Sequence, residues 1–185
     1  MTVFYLIRHA HADWTPDEQR PLSSQGQDDA QRVAELLGSS PITRIYSSPF
    51  QRARQTVSPL ARRLGLPVRI EPGLRERELG GGPGASDFFA AVEQTWRNHS
   101  YAHPGGESNA AAQRRGVAVV QRLGDEYPGE HLALSTHGNL MALVLQHYDP
   151  HIDYDFWKAL TMPDIYELRM ARGEASIARL WEDPG

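Results

Sequence analysis

An Arg–His pair at the end of an apolar run is the first place where this sequence could do chemistry. Arg8 and His9 directly follow Val3–Ile7, five apolar residues without polar alternation. Arginine presents a fixed fork of donors that matches a phosphate or a carboxylate. A neutral imidazole beside it is a candidate nucleophile toward phosphorus. The alternative interpretation is a salt-bridged strand end followed by a structural histidine.

Two more segments carry anion-binding residue types where a predicted strand passes into a predicted helix. Ser48 suits an N-cap and Pro49 suits the first helical position, which would put Arg52 in the first turn of that helix. Free backbone N–H groups and the guanidinium would then face a bound anion together. His137 follows the strand that ends at Ser135. The alternative for Arg52 is an exposed arginine on a solvated helix face.

Alternating strands and helices are expected to position these residues. Short apolar runs predict six strands, over 3–7, 42–46, 67–70, 130–135, 165–170 and 175–180, and the last two form a predicted hairpin around Arg172–Gly173. Helical spacing predicts helices after the candidate N-caps Ser23 and Ser24, around Arg52 with a kink at Pro59, after the candidate N-cap Ser108, and over 140–146 and 153–160. This pattern predicts an α/β fold, a three-layer α/β/α sandwich with a mostly parallel central sheet and helices on both faces. The ends of the first, second and fourth strands should share one edge, and there Arg8, His9, Arg52 and His137 would meet.

Composition limits the classes of function. The 185 residues fit a single domain over 1–185, with a helical insertion at about 81–107 over the rim of the site. A net charge of −4 argues against nucleic acid or an anionic membrane as a partner. The absence of cysteine excludes disulfides, thiolate–zinc sites and cysteine nucleophiles. With no leader pattern and no membrane-length apolar run, we expect a cytoplasmic protein.

The motifs taken together resemble those of the histidine phosphatase (phosphoglycerate mutase-like) superfamily, on its phosphatase branch. The matching pieces occur in the family's order from Val3 to about Asn139. They are Arg8–His9, Ser47–Ser48–Pro49 with Arg52–Ala53 and Gln55–Thr56, Leu74–Arg75–Glu76 with Gly80, Pro104–Gly105–Gly106–Glu107–Ser108, and Ser135–Thr136–His137–Gly138.

The resemblance implies a role for each matching residue. His9 would accept the phosphoryl group, while Arg8, Arg52 and His137 would hold its oxygens. Glu76 would protonate the leaving oxygen and then activate water. Gly138 could add a backbone N–H to the phosphate. These roles fit phosphoryl transfer, which needs positioning and charge neutralisation, and they require no metal and no cofactor.

Departures from the family pattern affect the substrate-binding surface. Ala10 stands where most members have glycine, and Thr15 stands where asparagine is common. The stretch after Gly80 is rich in glycine and proline where many members carry a Trp–Glu pair. His11 and Thr15 are candidates for the rim, and Trp14 is expected to pack rather than to line the mouth.

The expected activity is that of a metal-independent, histidine acid phosphatase-type phosphomonoesterase, a hydrolase acting on a small phosphorylated metabolite through phospho-His9. Three alternatives remain open: a phosphoglycerate mutase, a protein-phosphohistidine phosphatase, and a non-catalytic module that binds phospho-ligands. A mutase must exclude water to retain its phosphoenzyme, and this compact chain favours hydrolysis. An aspartyl-phosphatase site at Asp153–Tyr154–Asp155 is disfavoured, because no apolar strand precedes it.

Overall fold

Six strands form one sheet in a computed structural model that describes residues 1–15, 19–80, 88–171 and 174–182. The sheet order is β3-β2-β4-β1-β5-β6. The strands are β1 (Thr2–Arg8), β2 (Arg44–Ser47), β3 (Val68–Ile70), β4 (His131–Thr136), β5 (Asp164–Ala171) and β6 (Glu174–Arg179). Strands β1 to β4 run parallel, and β5 and β6 add an antiparallel hairpin at one edge.

Helices cover both faces of this sheet, which confirms the predicted α/β class. They are α1 (Ser24–Leu37), α2 (Gln51–Leu64), α3 (Phe88–Arg97), α4 (Asn109–Glu126), α5 (Gly138–Tyr148) and α6 (Tyr154–Ala159). Side chains of β1 alternate between two cores, because successive residues of a strand point to opposite faces. Phe4 and Leu6 pack with α4 and α5, whereas Val3, Tyr5 and Ile7 pack with α1 and α2.

The carboxyl ends of β1, β2 and β4 lie side by side, as predicted. β4 pairs in parallel with both β1 and β2. The pairing continues one residue beyond the strands, where His9 N–H donates to Thr136 O at 3.0 Å and Ser48 N–H donates to Ser135 O at 2.9 Å. This continuation brings His9, Ser48 and His137 onto one edge of the sheet.

The start of α2 differs from the prediction. The helix begins at Gln51 with Phe50 in the N-cap position, rather than with Ser48 as cap and Pro49 as first residue. The Ser48 hydroxyl still accepts from Phe50 N–H at 3.3 Å, but it also lies 2.8 Å from the His137 ring. Ser48 does not begin the helix, because its N–H is still hydrogen-bonded to Ser135 O of β4. The helix continues past Pro59 to Leu64.

The predicted caps at Ser23 and Ser108 are confirmed. Their hydroxyls accept from Gly26 N–H at 3.1 Å and from Ala111 N–H at 3.2 Å. The predicted hairpin turn at 172–173 and the first part of the insertion, 81–87, lie outside the described residues. Within the described ranges, no helix combines the length and apolar character needed to cross a bilayer.

Candidate active site

His9 is buried at the end of β1 and held in one tautomer. Its Nδ1 lies 2.7 Å from Ala10 O. A carbonyl can only accept, so Nδ1 carries the proton and Nε2 is left with its lone pair. Arg52 Nε donates to that Nε2 at 3.2 Å. The imidazole therefore presents the nitrogen that a nucleophile needs beside a guanidinium.

Arg52 and His137 complete a buried cluster with His9. The Arg52 guanidinium is 5% exposed, which excludes the solvated-face interpretation, and the His137 ring is fully buried. Arg52 Nη2 lies 3.4 Å from His137 Nδ1, and the two imidazole rings meet edge to face at 5.1 Å. Because arginine only donates, His137 Nδ1 accepts, and its Nε2–H donates to Ser48 Oγ at 2.8 Å.

Burial and neighbouring cations hold both imidazoles neutral. Desolvation is the main cause that lowers the pKa of His9 to about 3, and the charges of Arg52, Arg8 and Arg20 add to it. Desolvation also lowers the pKa of His137 well below its usual range, with further contributions from His9 and Arg52. A neutral His9 retains the lone pair that attack on phosphorus requires.

Arg8 links the phosphate end of the site to the segment after α6. Its Nη1 donates to Leu160 O at 2.7 Å and to Thr161 O at 3.1 Å. The other side of the guanidinium lies against Gly138, where a Cβ would stand 2.9 Å from Arg8 Nε. A side chain at position 138 would therefore displace the Arg8 guanidinium from this position.

Glu76 lies at the amino end of α5 and faces the same cavity. Its carboxylate accepts from Asn139 N–H at 3.0 Å, from Leu140 N–H at 2.9 Å and from Arg77 N–H at 2.8 Å. The carboxylate thus satisfies two of the amide donors that a helix start leaves open. This anchoring fixes Glu76 beside Arg8 and His137, which also line the cavity.

A glycine contact supports the segment that carries Glu76. Gly80 has φ +88°, and a Cβ there would stand 2.7 Å from Gly106 N and from Pro104 O. Glu107 N–H donates to Glu78 O at 2.7 Å next to this contact. Gly80 therefore packs against the Pro104–Gly105–Gly106 motif, which is distant in sequence, close to the segment that carries Glu76.

The loop after His9 is placed by polar contacts from α1 and α2. Ala10 N–H donates to Thr56 Oγ1 at 2.9 Å. His11 lines the cavity, with Nδ1 2.8 Å from Ser23 Oγ. Thr15 does not line it; the exposed Thr15 contributes only its carbonyl, which accepts from Arg20 at 2.7 Å. Trp14 is 78% exposed and lines the cavity, so the expectation that it packs is wrong.

These side chains surround a cavity of about 550 Å³. A neighbouring cavity of about 320 Å³ shares Arg20, Arg52, Glu76 and Arg77 with it. Cavities of about 580 and 540 Å³ lie near Thr2 at the opposite end of β1, and no histidine or arginine lines them among the described residues. The candidate site is therefore the cavity at the carboxyl edge of the sheet.

Two arginines of this site were not predicted from the sequence. Arg20 lies in the loop after His9, lines both cavities, and its charge contributes to lowering the pKa of His9 and of His137. Arg77 is 6% exposed, and its Nε and Nη1 have no hydrogen-bond partner within the part of the chain described. Arg77 follows Glu76 directly and Arg20 lies in the polar loop before Pro21, but no motif or spacing in the sequence marks either residue as part of a site.

Other candidate chemistry finds no support in the geometry. Asp153 caps α6, since its carboxylate accepts from Phe156 N–H at 3.0 Å. Across the described ranges, no group of three or more histidine, aspartate or glutamate side chains is placed to hold a metal ion.

The geometry agrees with what comparison with known proteins finds. The model of the histidine phosphatase superfamily (branch 1) matches residues 4–183. Phosphoglycerate mutase-like protein 4 of Arabidopsis thaliana is 30% identical over 161 residues, which cover 78% of this chain and 70% of that protein. Glucosyl-3-phosphoglycerate phosphatase of Mycobacterium tuberculosis is 29% identical over 159 residues, 75% of this chain and 71% of that protein.

A solved structure shows the same fold over almost the whole chain. Bacillus stearothermophilus YhfR superposes with a TM-score of 0.83 at 24% identity, covering 97% of this chain and 96% of its own. This protein belongs to the histidine phosphatase superfamily, in which its relatives include phosphatases and phosphoglycerate mutase-like proteins.

Proposed function

We propose that this protein is a metal-independent phosphatase that hydrolyses phosphomonoesters through a phosphohistidine on His9. The observation that carries the proposal is the orientation of the His9 ring. Nδ1–H is bound to Ala10 O, so Nε2 has a lone pair at the wall of a cavity that also contains Arg8, Arg52 and His137.

In the first step, His9 Nε2 attacks phosphorus and the P–O bond to the alcohol breaks. Arg52 lies within hydrogen-bond distance of Nε2, and its donors would hold the equatorial oxygens of the phosphate. Arg8 would hold the same oxygens, aligned by its packing on Gly138. Glu76 would take a proton from the monoanion of the bound phosphomonoester and pass it to the leaving oxygen, so the alcohol departs neutral and Glu76 is left as a carboxylate.

In the second step, water attacks the phosphorus of phospho-His9 and the P–N bond breaks. Glu76, now a carboxylate, would take the proton of the attacking water. Inorganic phosphate leaves, and His9 returns as a neutral imidazole. Burial and the arginine charges, which lower the pKa of His9 to about 3, favour that neutral form over imidazolium.

His137 would donate to the phosphate through Nδ1, the nitrogen that faces Arg52. This nitrogen accepts from Arg52, so a donation to the phosphate requires the other tautomer of His137. The Ser48 hydroxyl permits that tautomer, because it can accept from Nε2–H or donate to bare Nε2.

The proposal treats residues 1–185 as one domain, with the insertion at about 81–107 over the rim of the site. Support comes from Phe88, Phe89 and Val92 of α3, which line the cavity. The substrate would be a small phosphorylated metabolite in the cytoplasm, and we expect neither nucleic acid nor a membrane as a partner.

A direct test is phosphate release from p-nitrophenyl phosphate in the presence of EDTA. We expect turnover by the wild type that persists with EDTA and is lost in His9→Ala, with His151→Ala as an exposed-histidine control. Equal turnover by the wild type and His9→Ala would exclude His9 as the nucleophile. Loss of turnover in EDTA would contradict metal independence.

A phosphoglycerate mutase remains the second candidate, because a relative carries that description in its name. Interconversion of 3- and 2-phosphoglycerate without release of phosphate would favour it. Release of phosphate faster than interconversion would favour hydrolysis.

A further inference from the structure

The cavity is larger than a phosphate group requires, and its outer side is aromatic. The volume of about 550 Å³ falls in the range of sites for whole small molecules. The phosphate-binding residues account for one end of this space. Phe88, Phe89 and Trp157, which we call the aromatic wall, line the other.

The rings of the aromatic wall contact one another and form a continuous surface. Phe88 and Phe89 meet edge to face at 5.6 Å, and their centroids lie 6.4 and 6.2 Å from that of Trp157. Tyr154 stacks on Trp157 at 5.5 Å, and its hydroxyl donates to Phe89 O at 3.4 Å. The wall therefore joins the first turn of α3 to α6.

Exposed apolar side chains concentrate at this cavity. Seven large apolar side chains are strongly exposed among the described residues, and four of them line it. These four are Trp14, Phe88, Phe89 and Met162, at 78%, 43%, 56% and 40% exposure. A cluster of exposed apolar residues beside a polar centre is typical of a binding surface.

The aromatic wall is tied to the phosphate end through Arg8. Arg8 donates to the carbonyls of Leu160 and Thr161, directly after the helix that carries Trp157. Placement of the phosphate and of the wall is therefore coupled. A substrate whose phosphorus reaches His9 would extend its organic part toward these rings.

We propose that the aromatic wall binds the organic part of the substrate, and that the preferred substrate is a phosphomonoester of an apolar, ring-bearing alcohol. The inference rests on the proposed phosphatase activity and names its substrate class. Ring stacking and edge-to-face contacts with the wall would add to the burial of apolar surface. A small polar alcohol would leave these rings in water and gain none of this binding.

The test compares two substrates whose leaving groups have similar basicity, 2-phenylethyl phosphate and ethyl phosphate. The readout is the ratio of their kcat/KM values, because a general loss of folded enzyme lowers both equally. We expect the wild type to favour the phenyl substrate by at least about tenfold. Phe89→Ala and Trp157→Ala should bring the ratio close to one, whereas Trp157→Phe, which keeps a ring, should retain most of it.

Leu36→Ala is the matched control, since Leu36 is 43% exposed and lies on α1 outside the cavity lining. We expect it to keep the wild-type ratio. A wild-type ratio near one, with His9-dependent turnover of both substrates, would overturn the inference and leave the phosphatase proposal standing. A high ratio that survives Phe89→Ala and Trp157→Ala would overturn the role of the wall. Absence of His9-dependent turnover of any phosphoester would instead overturn the phosphatase proposal.

Discussion

The two ends of the cavity are built in different ways. At the phosphate end, His9, Arg52 and His137 are 7%, 5% and 0% exposed and hydrogen-bonded to each other or to adjacent backbone. At the aromatic end, Phe89 is 56% exposed, and the side chains come from short helices and loops. The contrast separates a rigid centre suited to chemistry from a more exposed surface suited to recognition.

Strand pairing explains the rigidity of the phosphate end. The residues that follow β1 and β2 are still hydrogen-bonded to β4, so their backbones are fixed by the sheet. Catalysis by positioning demands such fixed geometry. The aromatic end lacks this support, and changes there would alter which alcohol is accepted without rebuilding the centre. The expected effects of mutation follow this division.

The largest effect is expected at the nucleophile. His9→Ala removes the atom that would form the bond to phosphorus, and kcat should fall by on the order of 10⁴-fold or more. Steady-state phosphate release measures it, with His151→Ala as control. If the phosphate end only bound a ligand, the wild type would release no phosphate, and His9→Ala would change only the affinity for that ligand.

A smaller but still large effect is expected at Arg52. Arg52→Met removes a buried donor to the phosphate oxygens, and kcat/KM should fall by roughly 10²- to 10³-fold. Arg62→Met is the matched control, because Arg62 lies on the same helix and is exposed. Equal rates for the two variants would mean that Arg52 serves only to pack against His9.

Ser48→Ala tests the hydroxyl behind His137. Loss of this partner should cost about 1–3 kcal/mol of transition-state stabilisation, or roughly 5- to 150-fold in kcat. Ser48→Thr, which keeps a hydroxyl, should recover part of the activity. Ser58→Ala serves as control, since that hydroxyl bonds only Arg54 O within the described contacts. Full activity of Ser48→Ala would show that His137 needs no tautomer partner.

The smallest expected effect is on how the free energy of unfolding depends on pH. The pKa of His9 is about 3 in the folded protein and 6.5 is its ordinary value, so the unfolded chain binds the extra proton. The contribution of His9 to the free energy of unfolding is then fully present above about pH 6.5. It decreases as pH falls toward 3, by about 2 kcal/mol between pH 6.5 and 5. His137 contributes with the same sign.

Urea unfolding at these two pH values measures the loss of stability. On going from pH 6.5 to 5, the free energy of unfolding of His9→Gln should fall by about 2 kcal/mol less than that of the wild type. An equal loss in both proteins would contradict a depressed pKa of His9.

The difference between the two ends also explains what the sequence could predict. Arg8, His9, Arg52 and His137 stand next to strand ends, and strand order alone brings them together. Glu76 was identified only through the family resemblance, because its place depends on the amides of α5, which begins at Gly138, far along the chain.

The aromatic end could not be assembled from local patterns. The wall depends on contact between α3 and α6, which are far apart in the sequence. Neither segment on its own predicts a binding surface. Trp14 was expected to pack because most tryptophans are largely buried, yet it lies exposed at the mouth. Arg77 could not be identified from the sequence, because the burial of its Nε and Nη1 without a hydrogen-bond partner among the described residues is a property of packing.

The most direct measurement of the central claim is identification of the phosphorylated residue. Wild-type protein would be mixed with p-nitrophenyl phosphate, quenched in alkali within a fraction of a turnover, and mapped by mass spectrometry. The mechanism predicts one phosphoryl group on His9, stable to alkali and labile to acid, and none in His9→Ala. A phosphoryl group on any other residue, or an unmodified protein that still shows a burst of p-nitrophenol, would contradict it.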